Sequence, residues 1–259
     1  MVPSNDRTAI GANRWHTGER ATVPQGSRLP RRGSQPASRL VMTSAGALRL
    51  NLGCGHVTPE GWVNVDGSNR ARLASRLPAV DRLLTAAGVI APSEFTGAAV
   101  YANLTREFPW ADGSASAVYM GEVLEHFTPA AGEALLRRCY RVLAPGGVLR
   151  LRVPDNARFW RHYLDEYTAT RSRPRSEWTT HHSRWIEWFF RDICVEPPGR
   201  FSAASFGHYH KWMYDDVSLI ALFEKIGFRE VDRMPFRKSR IPDIESVEAR
   251  DDLIVEGIK

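Results

Sequence analysis

Two short segments of the sequence carry residue types that could do chemistry. The first is Leu50-Asn51-Leu52-Gly53-Cys54-Gly55, in which an apolar run leads into two glycines separated by Cys54. Glycines there let the backbone turn sharply and let a ligand approach without meeting a Cβ atom. Asp66 follows Gly55 by eleven residues, at the end of the next apolar run, where a carboxylate can accept hydrogen bonds from both hydroxyls of a ribose. The pair predicts a ligand that contains adenosine.

The residues around the glycines narrow the choice of ligand. The dinucleotide fingerprint GxGxxG/A is broken, since its last position is Thr58 and Pro59 follows. The pyrophosphate-facing start of a helix is therefore missing. No GxxxxGK[ST] phosphate loop is present either. S-adenosylmethionine (SAM), which has adenosine but no pyrophosphate, fits this pattern.

The second segment is His208-Tyr209-His210-Lys211-Trp212, and it supplies candidate bases. Methyl transfer from a sulfonium is a displacement for which the protein supplies alignment, and a hydroxyl acceptor also benefits from a general base. Histidine is the natural base near neutral pH. The candidate catalytic residues are His126, His208, His210 and Asp155, and the candidate substrate contacts are Tyr209 and Trp212.

Each of these candidates has a structural alternative. His126 could be structural, the two histidines near Trp212 could pack around that ring, and Asp155 could cap the helix that follows it. No metal site is predicted, because the three cysteines, Cys54, Cys139 and Cys194, lack the paired spacing of a zinc site.

The elements that must position these residues alternate between strand and helix. Apolar runs predict seven strands, namely Ala47–Asn51, Trp62–Asp66, Ala98–Leu104, Ala117–Met120, Val148–Val153, Phe228–Val231 and Leu253–Ile258. A helix should open at Thr128-Pro129 and stop at Pro145-Gly146-Gly147, and another should run from Asp215 or Asp216 to Ile226, before Gly227. This alternation predicts a doubly wound, mostly parallel α/β sheet with both faces covered.

Several motifs, taken in order, resemble the class I SAM-dependent methyltransferases, in the group marked by a Leu-Glu-His motif. They are Leu-Asn-Leu-Gly-Cys-Gly at 50–55, Val-Asn-Val-Asp at 63–66, Asn103-Leu104, Phe-Pro-Trp-Ala-Asp-Gly-Ser at 108–114, Val-Leu-Glu-His at 123–126 and Leu-Ala-Pro-Gly-Gly-Val-Leu at 143–149. The resemblance covers residues 48–155, and more weakly the chain to 259. It implies a Rossmann-like fold, methyl transfer, SAM as the cofactor, and adenine beside Asn103 and Leu104.

Two departures from the family pattern bear on cofactor binding. Asn103 stands where the family usually has Asp, although an amide can still accept from adenine and also donate to it. The short gap between Gly55 and Asp66 reduces the usual first helix to a turn at most. Glu122 could then reach the methionine end of SAM, or be an exposed glutamate at a helix start. The predicted cofactor-binding residues are Gly53, Cys54, Gly55, Asp66, Asn103, Leu104 and Glu122.

Aromatic residues concentrate after the fifth predicted strand. Residues 159–214 hold 14 of the 26 aromatic residues and five of the eight tryptophans. We expect an aromatic-rich helical insertion there, which either lines an acceptor pocket as a lid or forms a small core of its own.

Charge divides the chain into a tail and a body. Residues 1–45 hold seven arginines and two acidic residues, hence +5 of the net +6, and lack a periodic apolar pattern. We expect this segment to be disordered: a solvated extension, a polyanion-binding or targeting arm, or sequence that precedes a true start at Met42. Residues 46–259 should form the domain. The unpaired cysteines, and apolar runs shorter than the ~18 residues that span a bilayer, favour a cytoplasmic location.

Three functions remain in competition at this stage. A near-neutral body favours a small-molecule or glycan acceptor, methylated at a hydroxyl oxygen, over a nucleic acid. An RNA-directed methyltransferase and a SAM-binding protein without transferase activity are the alternatives. The acceptor, its reacting atom and the oligomeric state do not follow from the sequence.

Overall fold

A computed structural model describes residues 48–89, 99–179, 185 and 210–259. The predicted disordered tail, His208, Tyr209 and Cys194 lie outside these residues. In the described part of the chain, no helix is both long and apolar enough to cross a membrane.

In the part of the chain that the structure describes, seven strands form one sheet, as the alternating sequence pattern predicts. They are β1 (Leu48–Leu52), β2 (Val63–Asp66), β3 (Val100–Tyr101), β4 (Ala115–Gly121), β5 (Leu143–Val153), β6 (Arg229–Arg233) and β7 (Leu253–Ile258). The order across the sheet is β3-β2-β1-β4-β5-β7-β6. The first five are parallel neighbours, whereas β7 runs antiparallel to both β5 and β6. The mostly parallel, doubly wound Rossmann-like fold is confirmed.

Within the described residues, five helices of eight residues or more accompany these strands. They are α1 (Asn69–Arg76), α2 (Pro78–Ala86), α3 (Pro129–Val142), α4 (Asn156–Arg171) and α5 (Asp216–Ile226). A 3₁₀ turn, Leu124–His126, follows β4. The start of α3 at Pro129 is as predicted, and α5 has the predicted bounds: Asp215 caps it in a capping box, and Gly227 ends it in the left-handed region.

Two local predictions were wrong, and two helices were not predicted. The Pro-Gly-Gly segment at 145–147 does not stop α3, because the helix ends at Val142 and β5 already begins at Leu143. The strand predicted over 98–104 is reduced to Val100–Tyr101 in the described residues. No helix was predicted between β2 and β3, where α1 is capped by Ser68 and α2 opens with Pro78.

The core lies between the sheet and the helices that cover it. Alternate residues of the central strands are completely buried, among them Leu50 and Leu52 of β1, and Val118 and Met120 of β4. They pack with Leu135 of α3 and other apolar residues of α3 and α5. Because β1 and β4 are adjacent and parallel, their carboxyl ends meet at one edge of the sheet, where the predicted site residues cluster.

Candidate active site

The glycine loop turns sharply where β1 ends. Gly53 and Gly55 have φ angles of +71° and +51°, in the left-handed region that favours glycine. The backbone N–H groups of Gly53 and Cys54 both donate to the carbonyl of Val65, at 2.7 and 3.0 Å. These two bonds fix the loop against the end of β2.

The two glycines face different surroundings. A Cβ atom on Gly53 would overlap the side chain of Val123, whereas one on Gly55 would meet no atom of the chain within 4 Å. Gly53 therefore permits close packing against the segment that follows β4. Gly55 leaves a side of the loop accessible to a ligand.

Asp66 is buried at the end of β2 and reaches the glycine loop. Its Oδ2 accepts a hydrogen bond from the Gly55 N–H at 3.2 Å, and its Oδ1 accepts one from the Ser68 N–H at 2.8 Å. A carboxylate has about four acceptor positions, so these two bonds leave capacity for ribose hydroxyls. The structure thus joins the two features that the sequence linked only by spacing.

Cys54 contributes a buried and weakly acidic thiol to the loop. Burial, with a smaller contribution from the charge of Asp66, raises the pKa of Cys54 to about 12. Its thiol is therefore protonated at neutral pH, so Cys54 lines the loop as a small apolar group and not as a nucleophile.

The predicted adenine contacts follow β3. The Asn103 side-chain oxygen accepts hydrogen bonds from the backbone N–H and the hydroxyl of Thr105, at 2.9 and 2.7 Å. This local turn occupies the amide oxygen, so a contact with adenine falls to the amide nitrogen. Leu104 is buried, and its carbonyl accepts a hydrogen bond from Arg138 at 2.9 Å.

Glu122 is an ion-paired, partly exposed side chain and not the unpaired, exposed glutamate of the structural alternative. It follows β4 with a φ of +56°, which is uncommon for a residue other than glycine. Its carboxylate accepts a hydrogen bond from Arg152 at 2.8 Å and lies 3.8 Å from Arg250. The ion pairs and the uncommon backbone conformation therefore hold the Glu122 carboxylate in one place at the end of β4. Its contact with SAM stays a prediction.

His126 and His210 meet after the carboxyl end of β4, although they are 84 positions apart in the sequence. Their rings pack edge to face, with centroids 5.0 Å apart. The backbone N–H groups of Lys211 and Trp212 donate to the carbonyl of Glu125, at 2.7 and 3.2 Å. These bonds hold the segment that carries His210 against the 3₁₀ turn that carries His126.

Glu125 is the residue that the sequence analysis missed. Its side chain lies with those of His126 and His210, and one ligand atom from each falls within 4.8 Å of the others. Burial raises the pKa of Glu125 to about 8. Burial, and then the charge of Glu125, raise the pKa of Tyr214 to about 12. The Leu-Glu-His motif contained the signal, because Glu125 is its middle residue.

Asp155 adopts the structural role that was its alternative. Its Oδ1 accepts from the Arg158 N–H at 3.0 Å, which caps α4, and its Oδ2 accepts from Arg233 at 2.8 Å. Both oxygens of this buried carboxylate therefore have structural partners. Its role as a catalytic group stays a prediction that these contacts do not favour.

Trp212 does not form the packed centre that the sequence suggested. It is 48% exposed, so His210 does not pack around a buried Trp212 ring, and His208 lies outside the described residues. The described part of the 159–214 segment includes α4, where Trp160 and Tyr167 are also exposed and Tyr163 stacks on Tyr167, with centroids 6.2 Å apart. The buried Phe159 contacts both Trp160 and Trp185, with ring centroids 4.8 and 6.0 Å apart, so the described residues of this segment contain an aromatic cluster as well as exposed rings. Whether the segment forms a lid or a small core of its own stays a prediction.

Comparison with protein families gives one match. Residues 50–151 match a family described as "Methyltransferase domain". That range contains the glycine loop, Asp66, Asn103 and the Glu125–His126 pair. A search of curated proteins gave no match.

Solved structures of SAM-dependent methyltransferases are also similar to this chain. One from Archaeoglobus fulgidus is 14% identical, with a TM-score of 0.45 and coverage of 83% of this chain and 87% of the other. One from Thermotoga maritima, described as a possible histamine N-methyltransferase, is 17% identical, with a TM-score of 0.42 and coverage of 82% of both chains. One from Methanosarcina mazei is 15% identical, with a TM-score of 0.40 and coverage of 84% and 92%.

Proposed function

We propose that this protein, as a class I SAM-dependent methyltransferase, transfers the methyl group of SAM to a hydroxyl oxygen of a small-molecule or glycan acceptor. Its residues 50–151 match the methyltransferase domain. The observation that carries the proposal is the meeting of His126, His210 and Glu125 at the strand edge that holds the glycine loop. Membership of the Leu-Glu-His group stays a prediction.

We propose that the glycine loop and Asp66 form part of the binding site for SAM. Gly55 presents a side without chain atoms within 4 Å, and the Asp66 carboxylate reaches the same loop. We assign the ribose hydroxyls to Asp66 and the adenine to the Asn103–Leu104 segment. Val123 connects this loop to the histidines, since it contacts the Cβ position of Gly53 and lies three residues before His126.

The proposed reaction is a single displacement at the methyl carbon. The acceptor oxygen attacks that carbon as the carbon–sulfur bond breaks, the electron pair remains on sulfur, and S-adenosylhomocysteine leaves. The hydroxyl proton must go to a group at the site, and the imidazole of His126 or His210 is within the cluster that the acceptor would face. A positioned base of this kind contributes about 10²–10⁴-fold to the rate.

The surface chemistry favours an uncharged acceptor of moderate size. The folded body carries little net charge once the basic tail is set aside, which gives no electrostatic footprint for a nucleic acid. Exposed Trp212, Trp160 and Tyr167 offer flat apolar faces, and such walls suit sugar rings and aromatic acceptors.

The experiment that tests this proposal measures transfer of a radiolabelled methyl group from SAM to a panel of sugars, glycans and phenols, with RNA as a further acceptor. We expect transfer to one hydroxyl-bearing class. His210→Ala and His126→Ala should lower turnover about 10²–10⁴-fold while SAM affinity, measured by calorimetry, stays within about twofold. His162→Ala, a histidine of α4 outside the cluster, is the matched control.

The outcomes separate the alternatives. Transfer to RNA alone would replace the proposed acceptor class. SAM binding without transfer to any member of the panel would favour a SAM-binding role. Fully active His126 and His210 variants would remove the base from the proposal and leave the two histidines as structural residues.

A further inference from the structure

Glu125 differs from four other buried acidic side chains of the described region. It is 1% exposed, and neither of its carboxylate oxygens has a hydrogen-bond partner among the described residues. By contrast, Asp66, Asp155, Glu248 and Glu256 are buried and each accepts hydrogen bonds. An ionised carboxylate that is buried without a partner is strongly unfavourable, so this site needs either a proton or a cation.

The groups around Glu125 supply donor atoms that a cation would use. One carboxylate oxygen and one nitrogen from each of His126 and His210 lie within 4.8 Å of one another.

We propose that Glu125, His126 and His210 bind a divalent transition-metal ion of the Zn²⁺ type. Two imidazole nitrogens and one carboxylate oxygen are a donor set that suits Zn²⁺, whereas Mg²⁺ and Ca²⁺ prefer oxygen ligands alone. Ligand atoms at about 2.0–2.1 Å from Zn²⁺ lie about 3.3 Å apart in a tetrahedron. Binding of the ion would require side-chain rotations that bring the three ligand atoms, which lie within 4.8 Å of one another, to that separation.

The backbone holds the ligands in register for such an ion. Glu125 and His126 are consecutive in one 3₁₀ turn. The segment with His210 is tied to that turn, because Lys211 and Trp212 both donate to the Glu125 carbonyl. A site that is already assembled loses little conformational freedom when the ion binds.

The ion would change how the proposed acceptor is activated. Three protein ligands leave a fourth position open, as in catalytic zinc sites. A hydroxyl bound there loses its proton to water more easily, because the cation stabilises the alkoxide. His126 and His210 would then hold the ion and would not accept the proton. Metal binding itself does not depend on the proposed acceptor, and it is measured without one.

The test uses the full chain without a histidine tag, stripped with a chelator and titrated with ZnCl₂ in a calorimeter. We expect one Zn²⁺ per chain. Glu125→Gln, His126→Ala and His210→Ala should each weaken binding by at least about 100-fold, since loss of even an outer-shell partner costs about 10–100-fold. Glu125→Gln keeps the shape of the side chain and removes the carboxylate that would bind the ion, so it tests the site without depending on a truncated residue.

The His181→Ala/His182→Ala double variant is the matched control, since these adjacent histidines are the chain's other obvious pair for zinc. It should bind as the wild type does. Zn²⁺ should also raise the melting temperature of the wild type and of this control but not of the three ligand variants. Absence of binding at 100-fold molar excess, or binding that the three variants leave unchanged, would overturn the proposal. Either result leaves methyl transfer open, because the radiolabel assay is read separately.

Discussion

Replacing each glycine of the loop by alanine gives a matched pair of variants. Gly53 and Gly55 both have positive φ angles, so an alanine at either position adopts a left-handed conformation that costs about 1–2 kcal/mol. Only at Gly53 would the new methyl group also overlap Val123. The difference between the two variants therefore isolates the contact between the glycine loop and the segment after β4.

The expected magnitudes follow from these two contributions. Gly55→Ala should lower the free energy of unfolding by about 1–2 kcal/mol. Gly53→Ala adds the cost of overpacking a buried site, about 1–3 kcal/mol, for a total of about 2–5 kcal/mol. Gly55→Ala should act mainly on the cofactor, because its methyl group would stand on the side of the loop that we assign to SAM.

Urea unfolding of each variant measures stability, and calorimetric titration with SAM measures binding. Val123→Ala in the Gly53→Ala background removes the overlapping methyl groups, so the double variant should be more stable than the sum of the two single changes predicts, by about 1–3 kcal/mol. Equal destabilisation by the two glycine changes would refute the steric argument. So would strict additivity of Gly53→Ala and Val123→Ala.

Three further predictions concern single side chains. Asp66→Ala should raise the dissociation constant for SAM at least about tenfold, because it removes hydrogen bonds to a charged group worth about 1.5–3 kcal/mol each; unchanged affinity in a calorimetric titration would reject the ribose assignment. Arg150→Met should lower the free energy of unfolding by about 3–5 kcal/mol, because the fully buried Arg150 pairs with Glu248 at 2.7 Å and Glu256 at 3.1 Å; a loss below 1 kcal/mol in urea would show that the carboxylates find other partners. Trp212→Ala should change stability by no more than about 0.5 kcal/mol while raising the KM for the acceptor; a loss of the 3–5 kcal/mol typical of a buried Trp would contradict its exposed position.

The strands of the sheet could be predicted because each of them is a short apolar run that is recognisable within its own segment of sequence. Apolar runs such as 148–153 are buried on both faces, which is typical of central parallel strands. The Asp215 cap and Gly227 likewise mark the two ends of α5 within a few residues. Errors appeared where local signals compete. At 145–147, a proline and two glycines predict a stop for α3, but the chain has already turned at Leu143 and pairs β5 with β4 through Ala115.

The direction of β7, which is antiparallel to its neighbours, could not be predicted from the sequence. Its apolar run predicts a strand but gives no direction, since direction depends on how the chain returns after α5 and β6. In the structure β7 lies between β5 and β6. That placement pairs Arg150 of β5 with Glu256 of β7 across neighbouring strands. A charged residue in an apolar run was a sign of a buried partner, but the sequence did not identify which of the acidic residues would meet it.

Some contacts of the candidate site form between residues that are close in the sequence, and these could be predicted. Others form between distant segments, and these could not. Gly53, Gly55 and Asp66 are linked by a strand, a turn and a second strand, so their spacing was enough to predict that they meet. His210 reaches His126 only because two backbone hydrogen bonds tie its segment to the Glu125 carbonyl, and no periodicity encodes such bonds. Glu125 was not predicted as a site residue for a similar reason, because its surroundings come from residues that are distant in the sequence. Within the sequence it is the acidic residue of a short motif, and only the fold reveals that its carboxylate is buried beside two imidazoles. A buried acid costs stability unless something neutralises it, so its presence at the edge where the cofactor loop ends is better explained by chemistry performed there than by the needs of the fold.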